Sequence, residues 1–196
     1  MPRTGGEITK KNILAAAEEL FAQKGFHATS VNQITRAARV NKALVYYYFK
    51  DKNDIILSLF KEIIRELSDL DSASRDIKIF GKGGGTIREA LKEEISYLEK
   101  KKKIISVMLM EALKSDEKDS SLFKCAEMVM SHEHGGQRIK GDVVFEFFTG
   151  FIPLITFVVL RDKFAEFFNC NSKILLDTFV EGFIASHIKI QKEKNK

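Results

Sequence analysis

The sequence predicts an all-α protein in two parts, and three observations carry that reading. Only Pro2 and Pro153 are prolines among 196 residues, so long helices meet few breakers. Apolar residues recur at helical spacing along most of the chain, and no apolar–polar alternation long enough for a strand appears. With 44% hydrophobic and 30% charged residues, the composition excludes a disordered tail, a collagen-like fibre and a disulfide scaffold. A chain of this length suits a small module joined to a larger body.

Ile13, Leu14, Ala17, Leu20 and Phe21 place one apolar stripe on a helix from about Ile8 to Gly25. A short second helix follows, with Ser30 as its cap, Gln33 completing a capping box, and Val31, Ile34, Ala37 and Ala38 as its inner face. The turn is Arg39-Val40-Asn41, and Asn41 caps a third helix, Lys42 to Phe49. Asp51 caps a fourth, whose Ile55, Ile56, Leu59, Phe60, Ile63, Ile64 and Leu67 hold a helical period to about Leu70. Serines and glycines from 71 to 85 form a connection, with one helical turn expected at Ile77 to Phe80. The body then reads as helices over Thr86–Lys102, Lys103–Ser115, which is either a separate helix or a kinked continuation, Ser120–Ser131, Asp142–Phe168 and Ser172–Gln191, with a polar loop from His132 to Gly141.

Charge is concentrated rather than spread. Residues 1–50 hold eight Lys/Arg against three Asp/Glu, while residues 51–196 hold 24 of each, so the whole net charge of +5 sits in the first quarter. A basic module on a neutral body is the layout of a protein that meets a polyanion at one end. Two cysteines, Cys125 and Cys170, and a polar N-terminus suggest a cytoplasmic chain with reduced thiols.

Ser30 to Phe49 has helix-turn-helix dimensions. Val40, Leu44 or Val45, and Phe49 suffice for the buried side, which leaves Lys42, Ala43, Tyr46, Tyr47 and, less clearly placed, Tyr48 for the outer face. A lysine and free amides at a helix start, with tyrosine hydroxyls beside them, suit phosphate contacts, and small Ala43 permits close approach to a groove. The competing reading makes the three tyrosines core aromatics.

Phe26-His27-Ala28-Thr29-Ser30-Val31, Ile34, Ala37-Ala38 and above all Val40-Asn41-Lys42-Ala43-Leu44-Val45-Tyr46-Tyr47-Tyr48-Phe49-Lys50-Asp51-Lys52 resemble the DNA-binding signature of the TetR/AcrR family of bacterial transcriptional repressors. The resemblance spans roughly residues 8–60. It implies a homodimer whose recognition helices enter successive major grooves of a double-stranded operator, with Thr29, Ser30, Asn41, Lys42, Ala43, Leu44, Tyr46, Tyr47, Tyr48 and Lys52 as the DNA-contacting set. It also implies a division into a three-helix DNA-binding domain, 1–50, and a helical effector-binding and dimerisation domain, 51–196, linked through 52–70. The sequence departs from the family at Arg39 and Ala43, which stand where glycine is usual, at Leu44 for a small polar residue, and at Tyr48 for histidine. Either Arg39 takes a left-handed conformation or the turn differs.

Val143 to Leu160 carries a single charge, Glu146, over 18 residues. Length permits a membrane span, but Glu146, Pro153 and the Arg161-Asp162-Lys163 flank fit a kinked helix buried on all sides. Met108, Phe145, Phe147, Phe148 and Phe151 are candidates to line a pocket for a small apolar effector, against the plainer reading of core packing. On the last helix the small residues Thr178, Gly182 and Ala185 lie beside Phe179 and Phe183, and the resemblance implies that this helix pairs with its copy in a second subunit.

Other patterns lead to no site. His132-x-His134 with Glu133 and Cys125 reads as a polar loop rather than a metal centre, Gly81 to Thr86 lacks phosphate-loop spacing, and Tyr97-x-x-x-Lys101 has no dinucleotide fold around it. Lys100 to Lys103 reads as a solvated helix face. No cofactor, metal or membrane partner is expected, and no nucleophile and base converge to suggest an enzyme. The alternative from another class is a helical ligand-binding or peripheral membrane protein whose basic module contacts anionic lipid.

Overall fold

The computed structural model describes residues 5–73, 86–114, 120–133 and 143–188. Every element among them is helical: α1 Gly5–Lys24, α2 Val31–Ala38, α3 Lys42–Tyr48, α4 Lys52–Ala73, α5 Ile87–Lys100, α6 Lys102–Lys114, α7 Ser121–Glu133, α8 Val143–Phe167 and α9 Ser172–Phe183, the last prolonged by a wide π turn to Ile188. The turn expected at Ile77 to Phe80, the glycine run 81–85, the loop beyond Glu133 and the lysine tail lie outside the described residues. The chain divides into two compact units, one formed by Met1–Ile63 and Lys103–Met128, the other by Ile64–Lys102 and Val129–Lys196.

The first unit buries Ile13, Leu14, Ala17 and Phe21 of α1, Ile34 of α2, Val45 and Phe49 around α3, and Ile55, Ile56, Leu59 and Phe60 of α4. To these its second segment adds Ile104, Ile105 and Met108 of α6 and Leu122, Cys125 and Ala126 of α7. Burial and the nearby Glu111 carboxylate push the Cys125 thiol far up, so it stays protonated, whereas Cys170 is exposed. The inner face of α2 differs from expectation: Thr35 is buried and Ala37 is exposed. Thr35 tolerates burial because its hydroxyl donates to the Asn32 carbonyl, 2.8 Å away, and so does not lose a partner to desolvation.

The second unit packs α5 against α8 and α9. Thr86 and Glu89 form a capping box at the start of α5, and Ala90, Leu91, Ile95 and Leu98 turn inward from it. Arg161, its side chain only 14% exposed, pairs with Glu99, and three further ion pairs brace the outside: Lys92 with Asp177, Arg88 with Glu181 and Lys102 with Asp162. Exposed pairs of this kind contribute about 0–1 kcal/mol each.

Helix α8 is long and apolar enough to cross a membrane by length and composition, a criterion that core helices also meet. It is not buried on all sides as the sequence suggests. Ile155 and Val158 face inward, while Val144, Phe148, Leu160, Phe164 and Phe167 are exposed. Pro153 has no amide hydrogen to offer the carbonyl four residues earlier. The helix widens before it into a π segment, Glu146–Phe151, in which the Ile152 amide donates to Phe147 O five residues back.

Candidate nucleic-acid interface

Local chemistry sets the geometry of α2, the turn and α3. Ser30 Oγ accepts from the Gln33 amide at 3.3 Å, and the Ser30 amide donates to Gln33 Oε1 at 2.8 Å, closing the expected capping box. At the other end of α2, Arg39 adopts φ 54°, ψ 43°, the left-handed conformation that glycine would adopt without strain. The Val40 amide donates to Thr35 O and the Arg39 amide to Arg36 O, a pattern that satisfies two carbonyls and reverses the chain. Asn41 Oδ1 then accepts from the Leu44 amide at 2.7 Å and starts α3. Asp51 Oδ1 accepts from the Asp54 amide at 2.8 Å and does the same for α4.

On α3, Val45 points into the core and Phe49 closes it, so the opposite side faces out. Tyr47 is 79% exposed and Tyr46 49%, and Lys42 and Ala43 are exposed beside them. The reading of these two tyrosines as core aromatics therefore fails. Lys42 Nζ lies 5.8 Å from the centre of the Tyr46 ring, leaving the ammonium at the helix start. Leu44 is half-buried.

Three residues assigned to the DNA set are committed elsewhere. Thr29 is buried, and its hydroxyl lies 2.8 Å from Gly25 O and 3.2 Å from Leu20 O, the carbonyls to which it donates. Lys52 Nζ donates to Phe26 O at 2.6 Å and Thr29 O at 2.9 Å and sits 4.3 Å from the Phe26 ring centre; burial lowers its pKa. Lys52 is thus a strut tying α4 to the α1–α2 turn. Tyr48 leans back on α1, where a methyl at Gly6 would lie 3.0 Å from Tyr48 Oη, while its ring meets Tyr47 edge-on at 5.0 Å. The sequence reading passed over Arg36 and the side chain of Arg39, both exposed at the turn; two arginines flanking a helix-turn-helix corner were the available signal.

The residues proposed to line an effector pocket are drawn from both units. Met108 is a core side chain of the first unit, whereas Phe145, Phe147, Phe148 and Phe151 belong to the second. The first turns of α8 carry the phenylalanines: within the π segment Phe147 stacks on Phe151 at 5.9 Å and Phe148 is exposed, and just before it Phe145 stacks on the His187 ring at 5.2 Å. Thr149 Oγ1 is 2.9 Å from His187 Nδ1, Glu146 Oε2 is 3.5 Å from His187 Nε2, and a Cβ at Gly150 would stand 2.6 Å from His187 Cε1. Burial holds the His187 pKa below its usual value.

In the α9 set, Thr178, Gly182 and Ala185 are exposed, and nothing lies within 4 Å of a Cβ built at Gly182. Phe179 stacks on Phe157 with ring centres 3.8 Å apart, and Phe183 is buried between Phe179 and His187 within its own unit.

The fold is that of an all-helical protein with an N-terminal helix-turn-helix. Residues 13–59 match the family described as bacterial regulatory proteins, tetR family. The likeness to that family rests on this N-terminal segment. The fatty acid metabolism regulator protein of Bacillus subtilis is 39% identical over 66 residues, 34% of this chain and 33% of that protein. The matches to the curated relatives HbdR, the B. subtilis regulator and AcrR span only about a quarter to just over a third of their lengths. Among solved structures, Salmonella enterica GusR superposes with a TM-score of 0.64 at 16% identity, covering 93% of this chain and 98% of that one. The transcriptional regulator FadR of B. subtilis, in complex with stearoyl-CoA, gives 0.58 at 19% identity, covering 90% and 98%.

Proposed function

We propose that this chain is a DNA-binding transcriptional regulator, a homodimeric repressor released from its operator by a small apolar effector. The observation that carries the reading is the outward face of α3. Lys42, Tyr46 and Tyr47 stand exposed on a helix whose start is capped by Asn41 and whose back is anchored by Val45. Amides at the helix start, an ammonium and phenolic hydroxyls converge on the surface that would meet phosphates, while Ala43 keeps the backbone close to base edges.

Dimerisation is supported by the apolar surface that a single copy leaves uncovered on α8 and α9, including Leu160, Phe164, Phe167 and Ile174. Beside it a cleft of about 410 Å³ is lined by Phe157, Leu160, Phe164 and Phe179. Patches of this kind mark association surfaces. Pairing two recognition helices at the spacing of successive grooves requires such a two-fold contact. The apolar effector reading draws on the phenylalanine-rich π segment around Phe147 and Phe151 and on a similar fold that holds stearoyl-CoA. Such a ligand acts only by binding the operator-incompetent state more tightly than the competent one.

Selection of bound fragments from the source genome, followed by competition between a recovered duplex and its scrambled counterpart, tests the reading. A preference of about 1,000-fold for the recovered duplex is expected of specific readout. Equal binding to both, together with binding to anionic vesicles, would favour a module that recognises polyanions without reading sequence.

A further inference from the structure

We propose that the first unit contains a small-molecule site of its own, a lysine-flanked cleft between the α1–α2 turn and α6 that takes a linear amphipathic anion. The ligand class is an apolar chain ending in a carboxylate or phosphate. The site is distinct from the phenylalanine-rich region of the second unit, and its occupancy does not depend on the chain's acting on DNA.

The cleft encloses about 420 Å³, within the size range of small-molecule sites. Phe21, Phe26, Val107 and Met110 supply its apolar wall, and Met110 is 50% exposed into it. Lys24, Lys103 and Lys114 also border it, and among the described residues none of the three has an ion-pair partner. Their placement follows from helix geometry. Lys103, Val107, Met110 and Lys114 recur at spacings of three and four, so they share one face of α6, and eleven residues separate the two lysines by roughly 16 Å along the axis. Positive charge therefore stands at both ends of an apolar trough. Glu111, the carboxylate in the lining, is buried and would repel an anionic head placed beside it, so the head belongs at the bordering lysines and the uncharged chain along the floor. A neutral chain would gain nothing from the lysines, and a cationic one would be repelled by them.

The chain contains no tryptophan, so Met110→Trp provides a single reporter within the cleft. Decanoate and decyl phosphate are titrated against it, with decanol and decyltrimethylammonium as neutral and cationic counterparts. Saturable changes in emission are expected for both anions, with affinities at least about tenfold above those of the counterparts. Reversing charge with Lys103→Glu and Lys114→Glu in the same background should weaken the anions by about tenfold while leaving the circular dichroism unchanged. Calorimetric titration of the unsubstituted protein and of the Lys103→Glu, Lys114→Glu variant with decanoate gives the same comparison without the tryptophan. A lack of saturable anion binding in both formats, equal responses to all four probes, or indifference to charge reversal would each overturn the proposal.

Discussion

Tyr47 on α3 and Phe167 on α8 are almost equally exposed, at 79% and 82%, yet their surroundings give the two rings different uses. Tyr47 carries a hydroxyl and stands on a short capped helix with Lys42 at its start, in the part of the chain that holds all the net positive charge. Phe167 offers only hydrocarbon, and its neighbourhood adds Phe164, Phe168 and Leu160, also exposed. An exposed aromatic is therefore not one kind of signal. With donors and a cation beside it, the ring suits a phosphate-bearing groove; in a cluster of bare rings it suits another apolar surface.

That contrast can be broken from either side. The largest effect is expected from Phe164→Glu with Phe167→Glu, because placing carboxylates where a second copy would cover them should weaken dimerisation by about 100-fold or more. Sedimentation at micromolar protein measures it, and an unchanged dimer would place the interface elsewhere. On the other side, Lys52→Met sharpens the distinction between contact and strut. Leaving the Phe26 and Thr29 carbonyls without their charged donor should cost about 2 kcal/mol, a fall in Tm of about 4–8 °C. Loss of DNA affinity at unchanged Tm would return Lys52 to the contact set.

Arg39→Gly should work in the opposite direction. Relief of left-handed strain, partly offset by the greater freedom of glycine in the unfolded chain, is expected to stabilise by about 0.5–1 kcal/mol and raise Tm by about 1–4 °C. The smallest effect concerns pH. Because burial lowers the His187 pKa in the folded state, the unfolded chain takes up the proton first as pH falls below about 6.5. Stability should be full above that pH and decline on acidification until the folded-state pKa is passed. Thermal melts of His187→Gln should show a shallower decline between pH 7 and pH 5; an identical decline would assign the dependence to other groups.

Much of the first unit was legible because its decisive interactions are local. Ser30 with Gln33, Asn41 with Leu44 and Asp51 with Asp54 act within three residues, and the choice posed at Arg39 is resolved by backbone geometry in one turn. Thr86 with Glu89 obeys the same rule and was open to the same reading. Lys52, Thr29 and Tyr48 were not legible in this way. Lys52 reaches carbonyls 26 and 23 residues away, and Thr29 and Tyr48 turn toward α1, so their roles depend on helix packing rather than spacing. On α8, apolar composition suggested burial all round; composition cannot tell a buried face from one awaiting a partner.

The central claim is that the exposed face of α3 meets double-stranded DNA. The direct measurement is fluorescence anisotropy of a recovered operator duplex with the unsubstituted protein, Tyr47→Ala and Lys42→Ala, alongside circular dichroism and sedimentation. The expected result is an affinity loss of about 5- to 100-fold in each variant with helicity and dimerisation unchanged. Undiminished binding by both variants would contradict the account.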